Sequence, residues 1–286
     1  MNIKQVLKKS EKFLKKHDIS NPRLDAEVLL AALLDMERIN LYVNFDYPLT
    51  NDELTQYRSR IKERANRKPT AYITGKKEFM SLEFDINEQV LIPRPETELL
   101  VEEIISICQK QELDKPNIVD IGTGSGAIMV SLGYHIKEAK ILGIDVSQEI
   151  LKTARQNINK YDLDERLKVI KGNLLKPLIK RGKNNVDIVV SNPPYIKEKE
   201  MENLPPEVKQ EPEKALNGGE QGIKIIQKII SQAFEVLKQG GFLGLEIGYD
   251  QKNAVKNIFK KDKWDKIRVK QDHSQNDRIV IAQKKQ

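Results

Sequence analysis

The residues with most chemical promise are Asn192-Pro193-Pro194-Tyr195, which follow the apolar run Val186-Asp187-Ile188-Val189-Val190-Ser191. A β-branched run that stops at two prolines predicts a buried strand ending in a rigid loop. Neither proline has a backbone N–H, so carbonyl oxygens and the Asn192 amide dominate the polar surface of that loop, with the Tyr195 ring beside them. Such a loop is an acceptor-rich pocket for a planar –NH2 group. A plain strand-ending turn explains the same four residues about equally well, so the decision rests on other stretches.

The second stretch is Asp120-Ile121-Gly122-Thr123-Gly124-Ser125-Gly126-Ala127-Ile128, where a strand passes into a helix. Glycines there let the backbone turn sharply and approach a ligand closely, and the helix that follows directs free N–H groups into the site. About 20 residues on, Gly143-Ile144-Asp145 ends the next strand with an acid able to accept from both hydroxyls of a ribose. The spacing fits a nucleoside, and Gly122, Gly124 and Ala127 also match the dinucleotide form of the motif. Asp120 argues against a dinucleotide. A carboxylate one residue before the strand's end repels a pyrophosphate and favours a cationic amino-acid end. Ligands of open α/β sheets gather at the carboxyl ends of the strands, so the glycine loop, Asp145 and Asn192 converge on one crevice. S-adenosylmethionine, with its ribose, sulfonium and amino-acid tail, fits that crevice better than NAD.

These stretches need a scaffold, and from Asn117 the chain alternates strand and helix, as a parallel sheet covered on both faces requires. Strands are expected near 117–121, 140–145, 167–171, 186–191 and 242–247, and helices near 126–134, 147–160, 222–237 and 250–261. Lys266–Lys270 and Arg278–Ala282 read as a closing antiparallel hairpin, and residues 197–220 as a long loop of the kind that forms lids. Residues 1–71 form a helical bundle. Ile3, Val6, Leu7, Phe13 and Leu14 follow helical spacing, Asn21-Pro22 starts a second helix, and Thr50 or Asn51 caps another with Leu54, Tyr57 and Ile61 on one face. This bundle carries no visible chemistry and is assigned to partner recognition. Residues 72–93 alternate like a β-hairpin linker turning at Asn87-Glu88, and residues 94–286 form the catalytic domain, opening on a helix with Pro95 in its first turn.

Bulk composition narrows the field. A hydrophobic share of 39% suits a globular chain, and no stretch reaches the roughly 18 apolar residues of a membrane span. The polar start MNIKQVLKKSEKF is no signal peptide, and Cys108 is alone, so the expected compartment is the cytoplasm, without disulfides or metal. Lys+Arg 49 against Asp+Glu 42 leaves +7. That balance admits a nucleic-acid partner, but the lysines are interspersed with acids, as solvated surfaces are.

Together, Asp120-x-Gly-x-Gly-x-Gly, Asp145 and Asn192-Pro193-Pro194-Tyr195 resemble the class I methyltransferases that modify planar nitrogens. Four further stretches carry the resemblance to the HemK family, the release-factor glutamine N5-methyltransferases. They are Arg23-x-Asp25-Ala26-Glu27, Pro69-x-x-Tyr72-Ile73-x-Gly75, Leu91 to Glu98 and Glu246-Ile247-Gly248-Tyr249-Asp250-Gln251, so the likeness spans nearly the whole chain. It implies an α/β fold, a Rossmann-like class I S-adenosylmethionine-dependent methyltransferase with a mostly parallel sheet and an antiparallel terminal hairpin, plus the N-terminal α-helical bundle. It implies methyl transfer to the glutamine amide of the Gly-Gly-Gln motif of class I peptide chain release factors. A monomer with no direct nucleic-acid substrate is expected. By resemblance, Gly122, Thr123, Gly124, Ser125, Gly126 and Asp145 contact the cofactor together with Asp120 and Asn192, and Asn173-Leu174 lies beside the adenine. Three positions depart from the family. Asn173 and Gln221 replace acids, and Gln275 replaces a glycine, for which an altered turn is expected.

In the mechanism this suggests, the Asn192 side-chain oxygen and the Pro193 carbonyl accept the two N–H bonds of the substrate amide while Tyr195 packs on its face. Pro194 completes the substrate pocket. The rival reading is an amino-methyltransferase acting on adenine N6 or cytosine N4, which would use the same turn on a flipped base. A non-enzymatic RNA-associated protein would explain the charge but leaves the cofactor constellation without a purpose.

Overall fold

The computed structural model describes residues 1–182 and 184–286. The chain divides into two compact units, Met1–Lys76 with Pro205–Gln210, and Lys77–Leu204 with Glu211–Gln286.

The first unit holds five helices, α1 (Ile3–Lys15), α2 (Pro22–Leu33), α3 (Arg38–Val43), α4 (Asn51–Ala65) and α5 (Thr70–Thr74). Asn2 with Gln5, and Thr50 with Glu53, form reciprocal capping boxes that satisfy free N–H groups at the starts of α1 and α4. Asn21, expected to cap α2, makes no side-chain cap bond, and Pro22 alone marks that start. Ile3, Val6, Leu7 and Leu14 pack with Leu29, Leu30, Leu54, Tyr57 and Ile61 in one core, where the Tyr57 hydroxyl donates to the Ala26 carbonyl. Phe13 follows the spacing yet is exposed, because its neighbour Leu14 takes the inward position. Glu207 brings Pro205–Gln210 into this unit by accepting from Arg64 at 3.1 Å and Arg67 at 3.4 Å, while Arg64 also donates to Asp25 at 2.7 Å.

A small two-stranded sheet, β1 (Lys76–Phe79) and β2 (Leu82–Asp85), begins at the boundary. Its turn lies at Met80-Ser81 rather than Asn87-Glu88. Both residues take positive φ, 52° and 59°, as a tight hairpin turn of matching twist demands, and the Met80 N–H donates to Glu98. Asn87 instead makes a local turn, accepting from the Gln89 N–H and donating to Thr153. Val90 and Ile92 after it are buried without forming a strand.

The remaining elements are α6 (Pro95–Lys110), β3 (Asn117–Ile121), α7 (Ala127–His135), β4 (Lys140–Asp145), α8 (Gln148–Lys160), β5 (Leu167–Lys171), α9 (Lys176–Ile179), β6 (Val186–Ser191), α10 (Glu213–Leu216), α11 (Lys224–Val236), β7 (Leu237–Glu246), α12 (Lys252–Ile258), β8 (Trp264–Gln271) and β9 (Asp277–Lys284). Seven strands form one sheet in the order β5-β4-β3-β6-β7-β9-β8, parallel from β5 to β7 and antiparallel at β9 and β8. The central strand β6 is buried along its whole length, its β-branched residues and also Asp187 and Ser191. Strand order reverses between β3 and β6, which opens a crevice at their carboxyl ends. Among the described residues no helix is long and apolar enough to cross a membrane.

Candidate active site

Sheet register assembles the site. Ile121 pairs with Ile144 on one side and Ser191 on the other, and Ser191 pairs with Leu245. The next residue on each strand therefore stands in one row, Asp145, Gly122, Asn192 and Glu246, across four adjacent strands spaced about 4.8 Å apart. Asn173 lies two residues past the end of β5 on the same edge, where Lys171 pairs with Asp145.

Gly122, Gly124 and Gly126 take left-handed φ values of 67°, 56° and 84°, which any side chain would strain. A Cβ on Gly122 would meet nothing within 4 Å, and one on Gly124 only the Gly122 carbonyl, so this loop borders open space. Thr123 and Ser125 are buried and hold the loop from behind. The Thr123 hydroxyl donates to Asp120 at 2.7 Å, and the Ser125 carbonyl accepts from Asn157 at 2.8 Å.

The two acids differ in surroundings. Asp145 accepts from the Gly124 and Val146 N–H groups at 3.1 and 2.7 Å. Burial raises its pKa and those backbone donors, with Ser147, pull it back. Val146, the next residue, is an aliphatic side chain 53% exposed at the rim. Asp120 is fully buried, and its Oδ1 has no hydrogen-bond partner. Burial pushes its carboxyl up to about 7, and the charge of Asp145 adds to this, against the Thr123 hydroxyl and the Met129 backbone. A buried acid oxygen left unpaired is costly, and a cation brought to it would be strongly held.

On the other side of the crevice the Asn192 Nδ2 donates to the Thr97 hydroxyl at 3.0 Å, and Thr97 donates to Glu246 at 2.6 Å. The Tyr195 hydroxyl donates to the second Glu246 oxygen at 3.2 Å. Neither the Asn192 Oδ1 nor the Pro193 carbonyl accepts a hydrogen bond among the described residues. Both are acceptors without a donor, on a loop that cannot rearrange freely because of its prolines. Gln251 holds the loop from below. Its Nε2 donates to the Tyr195 carbonyl at 2.8 Å and the Gly222 carbonyl at 3.3 Å, and its Oε1 accepts from the Gly248 N–H.

The sequence-selected residues thus meet at one edge, with Pro194 half-buried beside Pro193. Asn173 is exposed, while Leu174 adopts φ 52° and packs on the sheet core. Gln275 takes φ 63°, a conformation that glycine adopts more readily. The Asp272 carboxylate stabilises the turn before β9 by accepting from the Ser274 and Asn276 N–H groups and from Arg278. Sequence reasoning singled out no role for Thr97, Glu246 or Gln251. All three lie in stretches that carry the family resemblance, Leu91 to Glu98 and Glu246 to Gln251, but the sequence does not show which partners they hold.

Two family models match the chain, one described as PrmC N-terminal domain over residues 5–75 and one described as Methyltransferase domain over residues 113–280. The chain is 38% identical to the release factor glutamine methyltransferase of Clostridium acetobutylicum, over 99% of this chain and 98% of that protein. It is 39% identical to the one from Leptospira interrogans, over 98% and 97%. Among solved structures, a methyltransferase from Pyrococcus furiosus is similar with a TM-score of 0.52 at 19% identity, over 81% of this chain and 98% of that one. The catalytic domain of hMettl16 is similar with a TM-score of 0.56 at 18% identity, over 82% of each. At such identities the structural likeness shows the methyltransferase fold alone.

Proposed function

We propose that this chain, which belongs to the release factor glutamine methyltransferase family, transfers a methyl group from S-adenosylmethionine to the side-chain amide nitrogen of the glutamine in the Gly-Gly-Gln motif of class I peptide chain release factors. The observation that supports this reading is the row of Asp145, Gly122 and Asn192, in which the glycine loop lies beside a loop with unpaired acceptors.

The residues present fit the methyl donor. The unpaired Asp120 oxygen answers its cationic amino-acid end, the open space over Gly122 and Gly124 admits its body, and Asp145 has acceptor capacity left for a ribose. Val146 gives an apolar surface for the adenine, with Asn173 and Leu174 at the same edge. When bound, the donor supplies an electrophilic methyl on a sulfonium.

An amide nitrogen is a poor nucleophile because its lone pair is delocalised into the carbonyl. The Asn192 Oδ1 and the Pro193 carbonyl accept its two N–H bonds, which fixes its orientation and favours the positive charge that develops on it. Tyr195 packs on the flat amide. No strong base is required before attack, and the extra proton leaves afterwards to water or a carbonyl. Residues 1–71 recognise the factor, 72–93 link, and 94–286 carry the chemistry.

The test offers labelled S-adenosylmethionine together with a release factor, its Gly-Gly-Gln→Gly-Gly-Ala variant, DNA and RNA. Label is expected on the intact factor alone. Label on nucleic acid and not on the factor would overturn the reading.

A further inference from the structure

We infer that Thr97 and Glu246 are positioning residues that set which way round the Asn192 amide sits, an inference that rests on reading Asn192 as the acceptor for a substrate amide. A side-chain amide fits its slot in two ways that exchange oxygen for nitrogen, and only one of them offers an acceptor to an incoming N–H. Something must choose between them.

The choice follows from a directed chain of hydrogen bonds. Glu246 is completely buried at the end of β7 and accepts from two hydroxyls, Thr97 on one oxygen and Tyr195 on the other. A hydroxyl has a single proton. With the Thr97 hydroxyl donating its one hydrogen to Glu246, its oxygen can only accept, and the donor it accepts from is the Asn192 Nδ2. The nitrogen therefore faces α6 and Oδ1 faces the other way, where it has no partner among the described residues. Carboxylate, hydroxyl, amide nitrogen and amide oxygen form a series in which each link fixes the next. Burial pushes the Glu246 carboxyl up to about 7, while the Thr97 hydroxyl, the Arg278 guanidinium and the Tyr195 hydroxyl work against this and Glu96 adds to it.

Neither Thr97 nor Glu246 need touch the substrate, so their replacement acts through Asn192. Glu246→Gln keeps the size but can turn an –NH2 donor toward Thr97. The Thr97 proton is then free to point at Asn192, and the amide can turn over and present its own N–H groups to the substrate. Thr97→Val keeps the shape and removes the one group among the described residues that Nδ2 bonds to.

The experiment measures kcat, KM for a release factor, the melting temperature and S-adenosylhomocysteine affinity for the wild type, Glu246→Gln, Thr97→Val and Thr97→Ser. Both Glu246→Gln and Thr97→Val are expected to lower kcat about tenfold or more, with unchanged S-adenosylhomocysteine affinity. Thr97→Ser, which restores the hydroxyl, should return kcat to within about threefold of wild type. Thr97→Val is isosteric, so a residue needed only for packing would leave its kcat intact, and this variant decides the matter should Glu246→Gln fail to fold. A wild type that labels the factor beside an equally fast Thr97→Val overturns the positioning role and leaves the proposed function standing. A wild type that puts no label on the factor overturns both.

Discussion

Single side chains divide the work in this crevice, and their environments say how. Asn192 carries an Oδ1 without a donor among the described residues, and on the proposed function Asn192→Ala should lose turnover by about 100-fold or more while S-adenosylhomocysteine affinity, measured by calorimetry, stays near wild type. Equal loss of both would show that Asn192 serves the cofactor first. Asp120 presents the opposite case, a group whose burial opposes stability. Its pKa rises from 3.8 to about 7 in the folded chain. Between those values the native state keeps a proton that the unfolded chain has released, so stability falls as pH rises through that window and the loss is complete above it. Asp120→Asn should therefore raise the melting temperature at pH 8, by roughly 1–3 kcal/mol of stability, with a gain that shrinks toward pH 4. The same substitution should weaken S-adenosylmethionine binding, since the unpaired oxygen is the feature that fits a cation. A variant that is no more stable at pH 8 than at pH 5, relative to wild type, would refute the account.

Elements set these side chains in place, and most of them are legible in the chain. The parallel strands β3 to β6 have the bounds the sequence predicts, and β7 covers 242–246 of the expected 242–247 but begins earlier, at Leu237. The glycine loop was legible because left-handed backbone leaves few alternatives to glycine. The β1–β2 turn was not, since Met80 and Ser81 lack the Gly, Asn or Asp that such positive-φ hairpin turns usually carry, and the Met80 N–H is held by Glu98. For the same reason Thr97, Glu246 and Gln251 stayed hidden, as their meaning lies in partners on other elements. Gly222 shows how tightly such partners close. It has φ 71°, and a Cβ there would lie 2.3 Å from the Tyr195 carbonyl oxygen and 2.5 Å from the Gln251 Nε2. Backbone cannot yield as a side-chain tip can. Gly222→Ala should cost about 2 kcal/mol or more of stability and lower kcat by displacing the Asn192-Pro193-Pro194-Tyr195 loop. Wild-type melting and turnover in this variant would mean that Gln251 does not brace the loop.

For the whole molecule, the informative segment is the one that leaves the site loop and belongs to the other unit. After Tyr195 the chain runs through a short 3-10 helix, Glu198–Asn203, and Pro205–Gln210 then joins the helical unit before Glu211 returns. Charged groups fasten both ends of this excursion. Glu207 accepts from Arg64 and Arg67, and the buried Glu211 carboxylate accepts from the Ile92 N–H and from Arg94. The family stretch around Asp25 is tied to the same place, because Arg64 bridges Asp25 and Glu207. A long loop pinned at its middle loses conformational freedom, and release of that point restores it. Glu207→Ala removes the tie, yet it leaves Arg64 paired with Asp25, so the helical unit should lose only about 1–2 kcal/mol. Trypsin should then cut faster after Lys199 and Lys209, and kcat/KM for the release factor should fall while S-adenosylhomocysteine affinity is unchanged. Cutting at the wild-type rate would show that Glu207 does not anchor the segment, and a matching loss of cofactor affinity would place the effect in the glycine loop instead.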